Sequence, residues 1–178
     1  MTVSRTIGSQ LKKAIKRKGI SQVQLSGQIN RSASTVNAYL QNQPTPIEAI
    51  QDISEFLNDS MLNQNLSNEF FGTLPAMDTI IYQDNPHVLD FLQQQEAAER
   101  KAKKEIALRS LSKNDHCLTR EDLDIIKSYA NEYLDEMLIE TRLVMSMLAK
   151  TDLSIMQAIT NRKPYWSVKG YVRREDHE

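Results

Sequence analysis

Helix stops fall so densely in the first sixty residues that only short helices fit between them. Ile7, Leu11 and Ile15 recur every fourth position with Ala14 beside them, which predicts a helix over Ser4–Lys18. Gly19 ends it as a residue at ease with positive φ. Ser21 caps a second helix, Gln22 to Ile29, with Val23, Leu25 and Ile29 as its apolar positions. Asn30 stands where a left-handed residue is wanted, a conformation Asn tolerates better than most. Ser32 caps a third helix, Ala33 to Gln41, with Val36, Tyr39 and Leu40 inward. Pro44-Thr45-Pro46 stops it, and Thr45 with Pro46 forms an N-cap and first-turn pair for a fourth helix. Ile47, Ile50, Ile53, Phe56 and Leu57 supply the core face of that fourth helix.

The other side of the third helix holds Ala33, Ser34, Asn37, Ala38 and Gln41. These are small or amide-bearing. Asn and Gln can bond both N6 and N7 of adenine, and Ala can touch the thymine methyl. The charge agrees with a role of this kind. Net charge is only −1, yet residues 1–47 hold seven Lys or Arg and no Asp or Glu. That asymmetry fits either a polyanion-binding module on a separate body or a solvated basic helix face.

The segment ISQVQLSGQINRSASTVNAYL resembles the Xre, or Cro/CI-type, helix-turn-helix family. The likeness lies in Ser21-Gln22 at the start of the second helix, Leu25-Ser26 within it, and Ser32-Ala33-Ser34-Thr35-Val36 opening the third. It covers roughly residues 4–58. It implies that Gln22 contacts the DNA backbone and braces a side chain of the recognition helix. It also implies that Ala33, Ser34 and Asn37 face bases and that Arg31 sits near phosphate. The full DNA-contacting set expected is Lys13, Lys16, Arg17, Gln22, Arg31, Ser32, Ala33, Ser34, Thr35, Asn37, Ala38 and Gln41. Three positions depart from the family pattern: Ser26 replaces Ala, Asn30 replaces Gly, and Arg31 replaces an apolar residue. The run STVNAYLQNQ…IEAIQDISEFL is also similar to the N-terminal domain of Mu-type transposition target proteins. Those continue into an ATPase, but no G-x-x-x-x-G-K-[ST] phosphate cradle occurs here. The comparison points to a phage or mobile-element setting.

Beyond residue 58 the composition changes. Residues 59–86 read as a linker with local structure, a short hairpin or a tucked apolar segment around Thr79–Tyr82. Residues 87–178 read as a helical oligomerisation or effector domain. Its first helix, 87–111, is mostly charged in its second half. Thr119, with Asp122 three residues on, opens a long helix to Lys150. Leu123, Ile126, Ala130, Tyr133, Met137, Val144 and Leu148 form one stripe on it, widened by Leu134, Leu138, Leu143 and Met147. The stripe packs against helix 87–111, serves as a dimerisation or effector surface, or does both; the dimerisation set is Leu123, Ile126, Tyr133, Met137, Val144 and Leu148. A final short helix, Asp152–Asn161, is ended by Pro164, and an aromatic and basic tail follows that packs as an arm or touches nucleic acid.

The fold class expected is therefore all-α, with few aromatics and only five Gly to build an all-β alternative. No apolar run approaches a membrane span, and the N-terminus has no signal-like apolar region. The lone Cys117 has no internal disulfide partner, so a cytoplasmic location is expected. His116 and Cys117 are adjacent without a second ligand pair, and His87 and His177 are isolated, so no metal or other cofactor is expected. No nucleophile sits at an informative spacing from a base, so no enzymatic activity is expected either. The functional expectation is a sequence-specific transcriptional regulator of a phage or mobile element, a repressor that binds double-stranded operator DNA as a homodimer. The alternative is an antitoxin or accessory adaptor whose C-terminal helical half binds another protein.

Overall fold

The computed structural model describes residues 4–173. They are mostly helical, with one two-residue ladder, in line with an all-α chain. Among them no helix is long and apolar enough to cross a membrane. The chain divides into two compact units. The first runs to Pro75 and takes the chain up again at Leu153; the second is Ala76–Asp152. This differs from a division at 58 and 86.

The first unit holds α1 (Gly8–Lys18), α2 (Gln22–Gln28), α3 (Ala33–Leu40), α4 (Ile47–Leu57), α5 (Ser60–Phe71) and α8 (Ile155–Val168). A short strand β1 (Ser4–Arg5) pairs antiparallel with β2 (Thr45–Pro46). Helix α1 therefore starts later than its periodicity suggests, because the residues before Gly8 are held extended by that ladder. Thr45 does not cap α4. It is buried in β2, and its hydroxyl donates to the Gln43 carbonyl at 3.4 Å. Pro46 takes the N-cap place with no side-chain bond. The core joins Ile7, Leu11 and Ala14 to Leu25, Ile29, Val36, Tyr39 and Leu40, and these to Ala49, Ile50, Ile53 and Leu57. Val23 is 71% exposed, contrary to its apolar assignment. It precedes Leu25 by two residues, which on a helix turns it to the opposite side.

Residues 60–71, read as linker, form α5. Asp59 caps it by accepting from Leu62 N at 2.7 Å. The Asn- and Ser-rich composition hides an apolar face of Met61, Leu62 and Leu66, all buried. No hairpin forms around Thr79–Tyr82, and nothing is tucked there: Ile80 and Ile81 stand exposed in a bend. Helix α8 runs through Pro164 rather than ending before it. A proline inside a helix removes one N–H donor, here that facing the Thr160 carbonyl, and the helix resumes beyond it. The α8 start is pinned to the first unit by Ser154 Oγ donating to Asn58 Oδ1 at 2.7 Å and Ile155 N donating to Ser60 Oγ at 3.0 Å.

The second unit is dominated by α6 (Pro86–Leu111) and α7 (Arg120–Ala149), joined through a 3-10 turn at Asp115–Cys117. Side-chain pairs run in opposite order along them: Gln93 with Glu140, Arg100 with Glu136, Lys103 with Glu132, Ser110 with Asp122. The two helices therefore form an antiparallel hairpin. The Thr119–Asp122 capping box at the start of α7 is present as its sequence suggested.

Candidate nucleic-acid interface

The site is built from two capped helices and the turn between them. Ser21 and Gln24 cap α2 reciprocally: Ser21 N donates to Gln24 Oε1 at 2.8 Å, and Gln24 N to Ser21 Oγ at 3.2 Å. The turn closes at Asn30, whose φ of +51° is the left-handed conformation its position required. Arg31 N then donates to the Ser26 carbonyl at 3.0 Å. Ser26 is buried, as a close helix crossing needs, and its hydroxyl donates to the Val23 carbonyl at 2.9 Å.

Three hydroxyls organise the start of α3. Ser32 Oγ accepts from Thr35 N at 3.1 Å and lies 2.8 Å from both Ser34 Oγ and Thr35 Oγ1. Gln22 reaches across from α2, its Nε2 donating to the Ala33 carbonyl at 2.7 Å. The brace therefore falls on the α3 backbone, not on a side chain of that helix. The other end of α3 is fixed as well. Asn42, at φ +60°, accepts from Ser9 N through Oδ1 at 3.1 Å. Gly8 makes that approach possible, since a Cβ there would lie 2.5 Å from the Tyr39 carbonyl oxygen and from Asn42 Oδ1.

With Val36, Tyr39 and Leu40 buried, α3 turns Ala33, Ser34 and Asn37 outward, Ala38 half-buried beside them and Gln41 at the C-cap. The exposed side is thus small and amide-bearing. The N-terminal backbone N–H groups of such a helix carry partial positive charge, which favours phosphate nearby. On α1, Lys13 and Lys16 are exposed.

Arg17 and Arg31, both in the expected set, have acidic neighbours. Arg17 makes a two-pronged pair with Asp59, through Nε at 3.1 Å and Nη2 at 2.6 Å, and Asp59 is buried. Arg17 is thus a tie from α1 to the N-cap of α5 rather than a free phosphate contact. The residue that claims it lies forty-two positions away, and nothing in the local pattern announces the pair. Arg31 stands 3.8 Å from Asp52 of α4, both partly exposed. At that distance and exposure the pairing is weak.

The set expected to dimerise lies on α7, mostly turned away from α6, with Tyr133 at the edge of the seam. The seam against α6 uses Asp122, Tyr129, Glu132, Glu136, Ile139 and Leu143, all buried. Arg100 pairs with Glu136 there, Lys103 with Glu132, and Lys113 with Asp122 at 2.7 Å. Leu123, Tyr133, Met137 and Val144 are exposed instead, with Ile126 and Leu148 half-buried. Packing of this stripe against helix 87–111 is therefore partial: Tyr133 touches Arg100 and Leu143 is buried, while most of the rest stands exposed. Tyr133 sits at the border: its ring lies 4.5 Å under the Arg100 guanidinium and edge-on to Tyr129, centroids 5.2 Å apart.

Carboxylates of Glu96, Glu99 and Glu132 converge within 4.8 Å of one another. Burial and then the Glu99 charge push the Glu96 carboxyl above its ordinary value. Lys103 already neutralises Glu132. In the C-terminal region, Arg162 lies 3.8 Å over the Tyr165 ring and Lys169 5.8 Å from it, so the cations and aromatics of that segment meet each other. The rest of the tail, 174–178, is outside the described residues.

Comparison with protein-family models, curated proteins and solved structures returns no match to this chain.

Proposed function

We propose that this protein is a sequence-specific DNA-binding transcriptional regulator, with α3 as its recognition helix and a homodimer as its working form. The observation that carries the reading is the outward face of α3. Ala33, Ser34, Asn37 and Gln41 are exposed together, and the helix that bears them is held at both ends, by Gln22 on the Ala33 carbonyl and by Asn42 on Ser9 N. A rigid, shallow, amide-bearing face is what base-edge readout in the major groove requires. Lys13 and Lys16, exposed on α1, supply phosphate affinity without sequence information. Regulation would follow from occlusion of a promoter, so repression is the sign proposed.

The test is selection of bound sites from a random duplex pool. Recovery of a recurrent consensus, two-fold symmetric with half-sites about one helical turn apart, supports the reading. A pool that stays random through successive rounds overturns it.

A further inference from the structure

The α6–α7 hairpin leaves an apolar face open beside its seam. Its seam buries two carboxylates paired to Arg100 and Lys103, while Leu123 at 53%, Leu134 at 50% and Met137 at 48% remain exposed on the outer side of α7. Apolar surface is what burial stabilises, so covering that open face would add to stability. The stripe is also regular. Leu123, Ile126, Ala130, Tyr133 and Met137 advance by three and four, and Val144 follows one heptad after Met137. That is the spacing by which one helix receives another along its length.

We infer that this face seats a second copy of the chain, the two hairpins stacking as a four-helix bundle with α6 of each over α7 of the other. Three observations favour a second copy over a different protein. The first is extent. Five stripe residues follow a buried one by a single step: Leu123 after Asp122, Ala130 after Tyr129, Tyr133 after Glu132, Met137 after Glu136, Val144 after Leu143. On α6, Leu108 and Leu111 follow the buried Ala107 and Ser110 in the same way. In antiparallel neighbours a step of one turns both helices to the same side, so the two sets share one face. About eight side chains near half exposure leave roughly 700 Å² open, close to the ~800 Å² each partner contributes to a standard interface. The second is length. The face runs along helices of 26 and 30 residues, and this chain supplies a matched pair of just that length. The third is charge. By the same step of one, Lys101 and Lys104 follow Arg100 and Lys103 on the α6 side of the face, and Glu140 follows Ile139 on the α7 side. Stacking α6 over α7 of the second copy brings both lysines over the stretch that holds Tyr133 and Glu140. The inference specifies the homodimer of the proposed function, and its evidence lies wholly within the second unit.

Two measurements on the full chain, both without DNA, test it. Sedimentation equilibrium at micromolar concentrations should give twice 20.4 kDa. Met137→Asp combined with Val144→Asp should weaken self-association about 30-fold or more with far-ultraviolet circular dichroism unchanged. A monomeric wild type, or a double variant that dimerises like wild type, overturns the inference. So does a wild type that stays monomeric alone and gains mass only with a protein of different sequence. The second measurement needs no core variant. A nitroxide on the exposed Cys117, at the α6–α7 turn, places two labels at the same end of the proposed bundle. Pulsed electron spin resonance should read a separation below about 30 Å. A separation near 45 Å, the length of α7, or no dipolar coupling, overturns the arrangement. Since neither measurement involves DNA, failure here leaves the recognition-helix reading standing, and failure of site selection leaves the dimer standing.

Discussion

Asn37 stands exposed on α3 among small side chains, and its carboxamide has no hydrogen-bond partner among the described residues. If α3 reads bases, Asn37→Ala should lower the ratio of specific to random duplex affinity by about 10–100-fold, the worth of one bidentate base contact, and change random binding little. Equal losses on both duplexes would sink the assignment. Lys13→Ala should weaken all sequences alike and lower the salt slope by about one. Arg17→Ala should behave differently from both. It leaves the buried Asp59 carboxylate without its guanidinium, at a cost of about 1–3 kcal/mol read from the urea midpoint, with random-duplex affinity per folded molecule unchanged. Gly8→Ala should also destabilise, by about 1–3 kcal/mol, since its Cβ collides with the Tyr39 carbonyl and Asn42. The residues that set local geometry were legible. Ser21, Asn30 and Ser32 act within three positions of themselves. The Gly8 contact and the Arg17–Asp59 tie were not, because each spans more than thirty residues.

Among the elements, the hairpin carries a pH dependence of definite sign. Asp122 accepts from Lys113 Nζ, from Thr119 through both backbone and hydroxyl, and from Ser110 Oγ. Lys113 above all holds its carboxyl well below the usual range. An unfolded Asp ionises near pH 4, so this stabilisation is complete above about pH 5 and drains away as pH falls toward the folded value. Glu136, lowered chiefly by its hydrogen bond from Arg100, acts in the same direction. Glu96 acts in the opposite one, because its raised carboxyl favours the folded state at low pH and that gain is lost as pH rises. Asp122→Asn should therefore lower the urea midpoint at neutral pH, and the gap to wild type should narrow near pH 3. A gap that does not change with pH would mean that the variant lost hydrogen-bond geometry rather than charge. The start of α7 was readable from Thr119 and Asp122. Which side of α7 meets α6 was not. The apolar stripe could serve packing or dimerisation, and the seam draws ion pairs in among its apolar residues. Residues 60–71 were missed for a related reason, since Met61, Leu62 and Leu66 sit too sparsely among Asn and Ser to show a helical period.

For the whole molecule, division into two units sharpens a charge asymmetry that the net value conceals. Residues 4–75 and 153–173 carry eleven Lys and Arg against five Asp and Glu, while 76–152 carry ten against fifteen. Such a balance draws a polyanion to the first unit, which holds α3, and repels it from the second. The affinity of the intact protein for random duplex should then fall with salt. For four or five phosphate contacts the slope of log K against log salt is about −4. A slope near zero would remove phosphate contact as the source of affinity.

Taken alone, the sequence determined where the helices α1 to α4, α6 and α7 lie and how the turn between α2 and α3 closes. Caps, left-handed turns and proline stops are settled by neighbours within a few residues, so they are written locally. Tertiary structure decided what each surface faces. Arg17 turned inward to Asp59, α5 and α8 joined the first unit, and most of the apolar stripe of α7 stayed exposed. Those outcomes depend on which distant group offers a charge, a carbonyl or a gap. Helical period alone does not choose between two faces when a network of ion pairs competes for the seam.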